Sequence, residues 1–262
     1  MTSRRQTIGP VLFSGDPHGG VRGTFQYLAT VALQTQASAV VLLGDIEPDL
    51  PLDVALRMLE NLPVWWIGGN HDADSDELWR RTWGSGLADR CIHGRVVTLP
   101  DGRRVAGLSG VFRDAVWYPS TLAALEGAPT WRTRAEHARY TPTHDRWQGG
   151  PHRKHWGTIY PEDVDRLADM ETDILVTHEA PGYHPRGFAL LDDLARAMGA
   201  RLAVHGHHHD SPDSSAEWET QGFETHGVGL RGISASWPDG RWELVRPGEI
   251  DIERAIRHPS RG

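Results

Sequence analysis

A single cysteine, Cys91, in a chain of 262 residues has no partner for an intrachain disulfide and excludes a thiolate metal cluster. Lysine is as scarce. Lys154 is the only one, so all but one of the 27 basic residues are arginine, a bias that fits a GC-rich genome better than a guanidinium-specific function. Long apolar runs are missing too. The longest, Ala39 to Leu43, is far short of the roughly 20 residues that a membrane-spanning helix needs. No apolar stretch of the secretory kind follows Arg4 and Arg5, so a reducing cytoplasm is the expected compartment, with no membrane partner. Positive charge is also lacking. A formal net charge of −8 argues against a protein that coats nucleic acid or anionic membrane non-specifically. The surplus lies elsewhere: 15 histidines, several of them beside Gly and Asp.

Those histidines follow a pattern of short apolar runs that stop at polar clusters. Val11 to Ser14 runs into Gly15-Asp16-Pro17-His18, and Ala39 to Leu43 into Gly44-Asp45. Val64 to Ile67 runs into Gly68-Gly69-Asn70-His71-Asp72, Ile174 to Val176 into Thr177-His178, and Leu202 to Val204 into His205-Gly206-His207-His208-His209. Continuous runs of this length, bounded by Gly, read as strands buried on both faces, and Trp65 and Trp66 within one of them read as core. Between them lie helical spacings: Phe25, Leu28, Ala29, Ala32; Leu52, Ala55, Leu56, Leu59; and Leu190, Leu191, Leu194, Ala195, Met198, closed by Gly199. Pro161 with Glu162 and Asp163 suits a helix start. Asp101-Gly102 and Asp239-Gly240 each lie between extended runs and read as hairpins. Alternating strands and helices with added hairpins predict a mixed α/β fold with parallel and antiparallel strands.

One stretch breaks the rhythm. From Phe112 to Thr158 no apolar periodicity is evident, and Trp131 to Trp156 holds six basic residues against two acidic ones. We read residues 112–158 as a cap-like or loop segment inserted into a single domain spanning 1–262.

Each polar cluster follows the C-terminal end of an expected strand, the edge at which α/β sheets bind ligands. Five loops would then bring together Asp16 and His18, Asp45, Asn70 and His71, His178, and His207 and His209. In Asp16-x-His18 and His207-x-His209 the i, i+2 spacing points both side chains the same way on extended backbone, so both members of each pair can reach one metal site. Oxygen and imidazole donors without thiolate suit Mn, Fe or Zn. Taken singly these residues have blander readings: a turn at Asp16, a helix cap at Asp45, a structural histidine at 178. The metal reading rests on their joint occurrence.

In chain order the blocks Asp-x-His, Gly-Asp, Gly-Asn-His-Asp, an isolated His and Gly-His-x-His resemble the calcineurin-like metallophosphoesterase superfamily, over about Val11 to Asp210 apart from the insert. Gly-Asp alone carries no information, and Gly-Asn-His-Asp is moderately specific; five blocks in order after five strands carry the resemblance. It implies a four-layer α-β-β-α sandwich of mixed sheets with a dinuclear metal site at the strand C-terminal ends. Asp16, His18 and His209 would hold one divalent ion, and Asn70, His178 and His207 the second. Asp45 would bridge them. A metal-bridging hydroxide would attack a phosphate ester, with His71 as general acid or transition-state donor to the leaving oxygen and Asp72 orienting it.

The sequence departs from some branches. Protein Ser/Thr phosphatases and dinucleoside tetraphosphate hydrolases carry a second Asp and an Arg shortly after Gly-Asp, and Glu after Asn-His; here the residues are Ile46-Glu47-Pro48-Asp49 and Asp72. The expected substrate is therefore a small phosphodiester or nucleotide, the alternatives being a phosphomonoester or, on the strength of the basic insert alone, nucleic acid. A non-enzymatic metal-binding scaffold is the remaining alternative. Arg113, Arg146, Arg153 and Lys154 are the candidate contacts to an anionic substrate, against their plainer reading as solvated surface charges. Trp131, Tyr140, Trp147 or Trp156 could stack on a base.

Overall fold

Alternate residues of a strand face opposite ways, so a run such as Ala39-Val40-Val41-Leu42-Leu43, buried at every position, needs apolar partners on both sides. The computed structural model, which describes residues 8–119 and 127–257, provides them. Arg4, Arg5 and residues 120–126 of the expected insert lie outside the described residues. The strands are β1 (Val11–Ser14), β2 (Ala39–Leu43), β3 (Val64–Ile67), β4 (Val96–Thr98), β5 (Arg104–Leu108), β6 (Ile174–Thr177), β7 (Leu202–His205), β8 (Glu224–Gly227), β9 (Ile233–Ser236) and β10 (Trp242–Arg246). The helices are α1 (Thr24–Gln34), α2 (Leu52–Ala55), α3 (Asp76–Arg81), α4 (Arg134–Tyr140), α5 (Pro161–Ala168), α6 (Ala189–Ala197), α7 (Trp218–Gln221) and α8 (Glu249–Arg257).

Two five-stranded mixed sheets result, in the orders β10-β9-β1-β2-β3 and β4-β5-β6-β7-β8. In the first, β1-β2 and β2-β3 are parallel and β1-β9 and β9-β10 antiparallel; in the second, only β4-β5 is antiparallel. Val11, Phe13, Val41, Leu43 and Ile67 of one sheet meet Val105, Ile174, Val176 and Val204 of the other. On its outer face the first sheet packs Leu12, Val40, Leu42 and Trp66 against Phe25, Leu28 and Val31 of α1. The second packs Ala106, Leu108, Leu175 and Ala203 against Leu167 of α5 and Leu191, Leu194 and Ala195 of α6. The order of layers is α-β-β-α.

Both Asp-Gly hairpins form, as β4-β5 and β9-β10. Elsewhere the periodicity is an incomplete guide. The helix expected over Leu52 to Leu59 is a four-residue α2 followed by a 3-10 turn at Arg57–Leu59, yet Leu52, Leu56 and Leu59 still reach the same core. Strand β8, Glu-Thr-His-Gly, gives no apolar signal because it lies at a sheet edge and pairs with β7 alone. Trp66 is fully buried, whereas Trp65 is half-buried under the guanidinium of Arg90. The 112–158 segment holds α4 and 3-10 turns at Thr143–Asp145 and Arg153–Gly157, and it is tied back by a bridge between Val111 and Thr158. Trp147 and Trp156 pack edge-on against Trp79 of α3, at ring separations of 5.7 and 5.1 Å. Among the described residues no helix is long and apolar enough to cross a membrane.

Phe13 lies in the seam between the sheets and on the strand that leads to Asp16. Phe13→Ala should cost about 3–5 kcal/mol in chemical denaturation. A loss below about 1 kcal/mol would mean that the seam is not packed as described.

Candidate metal centre

Strands β1, β2 and β3 of one sheet and β6 and β7 of the other end at a common edge, and the loops that leave them carry all seven expected metal-binding side chains. His18, Asp45 and His209 bring one ligand atom each to within 4.8 Å of one another, and Asp45, His178 and His207 do the same. Asp45 belongs to both groups. Asp16 accepts the His207 backbone N–H on both carboxylate oxygens, at 3.1 and 2.9 Å, and lies 3.9 Å from His178 Nδ1. Asn70 Oδ1 is 3.2 Å from His178 Nε2. All seven side chains are therefore brought together.

The backbone at this edge is not the extended stretch expected of Asp16-x-His18 and His207-x-His209 but left-handed. Asp16, His18, Asp45, Glu47, His207 and His209 all have positive φ, between 38° and 70°. That region is sparsely populated by residues other than glycine, and such strain persists where surrounding structure holds it, as at binding sites. Close approach adds a second constraint. A Cβ on Gly69 would fall 2.1 Å from Asp45 Oδ1, and one on Gly44 2.4 Å from His178 Nδ1. Gly44 and Gly69 are glycine because side chains of the site occupy their Cβ positions.

Hydrogen bonds aim the donors. His178 Nδ1 donates to Leu43 O at 2.7 Å, which leaves Nε2 facing Asp45 Oδ2 at 3.4 Å. Asp45 Oδ1 accepts the His71 backbone N–H at 2.8 Å. His18 Nδ1 is held by the Glu47 carboxylate, and its Nε2 is buried with no hydrogen-bond partner among the described residues. Sequence reasoning misses Glu47. Its one sign there is an acid two residues after Asp45, which lacks meaning until the β2 loop is seen folding over His18.

Burial and neighbouring charges compete at the site. Burial opposes ionisation of Asp45, but the His178 imidazolium and hydrogen bonds from His178 and His71 outweigh it and hold the carboxyl below the usual range. Burial pushes Asp16 up to about 7, with Asp45 adding and His178 opposing. For His178, burial works against protonation, yet Asp45 and Asp16 raise it to about 10. Burial and the charge of His178 lower His207 to about 3, and burial with His18 lowers His209. Both are kept neutral, the form in which an imidazole binds a metal.

His71 is exposed, and its Nδ1 is 2.6 Å from Asp74 Oδ2. Asp72, expected to orient His71, does something else. Its buried carboxylate accepts the backbone N–H groups of Ile46 at 2.8 Å, Glu47 at 2.9 Å and Gly69 at 2.8 Å, tying the β2 loop to the β3 loop. Burial and Asp45 push it up to about 6, against those N–H groups. A short carboxylate that can reach three backbone donors is better satisfied there than on one ring nitrogen.

The four expected substrate contacts are dispersed. Arg113 is half-buried, with Nε on Thr158 Oγ1 at 3.1 Å, and Lys154 is exposed. Arg146 donates to Thr141 O at 3.0 Å and Arg139 O at 3.4 Å within its own segment. Arg153 bonds to the loop after β3. A cleft of about 490 Å³ opens beside the cluster, with His18 and His209 in its wall, and none of these four lines it; its arginines are Arg81 and Arg231. Of the flanking histidines, His205 turns into the core onto the Tyr183 hydroxyl at 2.6 Å, and His208 stacks on His184 at 4.0 Å.

Comparisons with known proteins agree with this architecture. The family described as calcineurin-like phosphoesterase matches residues 9–211. An uncharacterized protein of Haemophilus influenzae is 34% identical over 201 residues, 77% of this chain and 84% of that one. In fold, the chain is similar to a solved protein of Thermus thermophilus, with a TM-score of 0.57 at 19% identity over 92% of this chain and 99% of that one. It is also similar to a dimetal phosphatase from Danio rerio, with a TM-score of 0.51 at 16% identity over 92% and 96%.

Burial lowers the His71 pKa, but the Asp74 hydrogen bond with the charges of Asp45, Asp74 and Glu47 outweighs it and the group lies above its ordinary value. In protein stripped of metal by chelation, Asp74→Asn should therefore move the His71 titration, followed by NMR, down towards the ordinary imidazole value of 6.5. An unchanged titration would show that the contact does not persist in solution.

Proposed function

The chain belongs to the calcineurin-like phosphoesterase family, a family of metal-dependent phosphoester hydrolases, and from that membership we propose a dinuclear enzyme acting on a small phosphodiester or nucleotide. The observation that carries the proposal is Asp45, one carboxylate common to two groups of ligand atoms. The donor set fits a pair of divalent ions: carboxylates, imidazoles and one amide oxygen, with a buried His18 Nε2 that has no other partner among the described residues. Asp16, His18 and His209 would hold one ion, and Asn70, His178 and His207 the other. Mn, Fe or Zn bound there supplies Lewis-acid polarisation of the phosphoryl oxygens and activation of the attacking water.

The chain's own groups do the remainder. Leu43 O holds His178 Nδ1 so that Nε2 faces Asp45, and Asp72 fixes the two loops that carry Asp45 and Asn70. His71, exposed beside this cluster and paired through Nδ1 with Asp74, would deliver a proton from Nε2 to the leaving oxygen. The neighbouring cleft, walled by Val21, Leu78 and Leu230 with Arg81 and Arg231, is of a size to take the non-reacting part of a small diester or nucleotide.

Removing the shared carboxylate should affect both ions together. Asp45→Ala should lower the bound Mn, measured by elemental analysis after gel filtration, from close to two ions to below one and abolish hydrolysis of bis(p-nitrophenyl) phosphate. Unchanged metal content with unchanged hydrolysis would contradict the proposal.

A further inference from the structure

Arg153 reaches out of the 112–158 segment and grips the loop between β3 and α3. Its Nε donates to Ala73 O at 3.0 Å, its Nη2 to Asp74 O at 2.8 Å, and its Nη1 to the Asp76 carboxylate. The two carbonyls belong to the peptide planes on either side of the Asp74 Cα. Holding both planes fixes φ and ψ of Asp74, and with them the direction of its Cβ. From there the path to the site is one contact long: the Asp74 carboxylate meets His71 Nδ1 at 2.6 Å, and Asp74 N donates to His71 O at 3.0 Å.

The grip is itself anchored. Trp147 and Trp156, on either side of Arg153 in the sequence, pack on Trp79 of α3, and the guanidinium lies 5.6 Å over the Trp147 ring. Gly157 brings the segment against Asn70, where an added Cβ would sit 2.5 Å from Gly69 O and 3.2 Å from Asn70 Cα. His71 and Asp74 are both exposed, so no packed wall holds the pair. The fork of Arg153 supplies that constraint.

We propose that Arg153 is a positioning residue for proton delivery to the leaving group, acting through Asp74 on His71. The inserted segment thus serves the reaction by fixing the His71 loop. The proposal rests on the reading of His71 as the donor to the leaving oxygen. Displacement of a catalytic group by about 1 Å can cost up to about 10²-fold in rate.

The test uses leaving groups that do and do not need a proton. Arg153→Lys, which keeps a positive charge beside Asp76 but lacks the fork, and Arg153→Ala are compared with His71→Ala and with both double variants. The substrates are the benzyl and p-nitrophenyl esters of methyl phosphate, with Mn-loaded full-length protein. Expected is a fall in kcat of about 10–10²-fold for the benzyl ester, a fall of less than about 3-fold for the p-nitrophenyl ester, and wild-type Mn content. Each double variant should be no slower than His71→Ala alone. Equal losses on the two esters, or losses that multiply in the double variant, overturn the proposal while leaving His71 as the donor. If His71→Ala itself fails to discriminate between the esters, the donor reading falls and this proposal falls with it. Should Arg153→Ala not fold, Arg153→Lys decides by the same criteria.

Discussion

A carboxylate taken out of water must find compensation, and Asp45 finds it from both sheets at once. It lies at the end of β2, accepts a backbone N–H from His71 after β3, and faces the imidazole of His178 after β6. The requirement spreads outwards from there. Gly44 and Gly69 lack side chains because Asp45 and His178 need the room, and Asp72 turns away from solvent to hold the loops that frame Asp45. The seam of Val, Ile, Leu and Phe between the sheets keeps the two halves of the cluster in register. A cluster built this way is stiff because its supports are backbone contacts and close-packed strands.

That dependence explains which parts are legible in the amino-acid order. The strands that carry the site are buried on both faces, so β1, β2, β3, β6 and β7 appear as unbroken apolar runs. Each must end where its backbone turns, so Gly, Asp and His mark the ends. Elements that are not central leave weaker traces. The edge strand β8 is polar, and α3 and α4 have at most one buried residue each, so neither helix gives a 3.6-residue apolar stripe.

Contacts between side chains from separate loops are harder to read. Asp72 and Asp74 both lie within three residues of His71, and spacing alone does not tell which one reaches the ring. The structure assigns Asp74, because Asp72 is taken by three backbone donors. Glu47 on His18 and Arg153 on the carbonyls of Ala73 and Asp74 are long-range pairings of the same sort. The charge of the basic residues in the insert suggests attraction of an anion. Their hydrogen bonds tell a more local story: Arg146 closes its own turn, and Arg134 meets the buried carboxylate of Asp163 at 2.6 Å. Charge in this segment largely serves to attach it.

The central claim, that one carboxylate joins two metal ions, is tested most directly by anomalous diffraction from crystals loaded with Mn. The account predicts two peaks about 3.5–4 Å apart with Asp45 between them. Asp16, His18 and His209 should surround one, and Asn70, His178 and His207 the other. A single peak, or a pair in which Asp45 contacts only one ion, would contradict it.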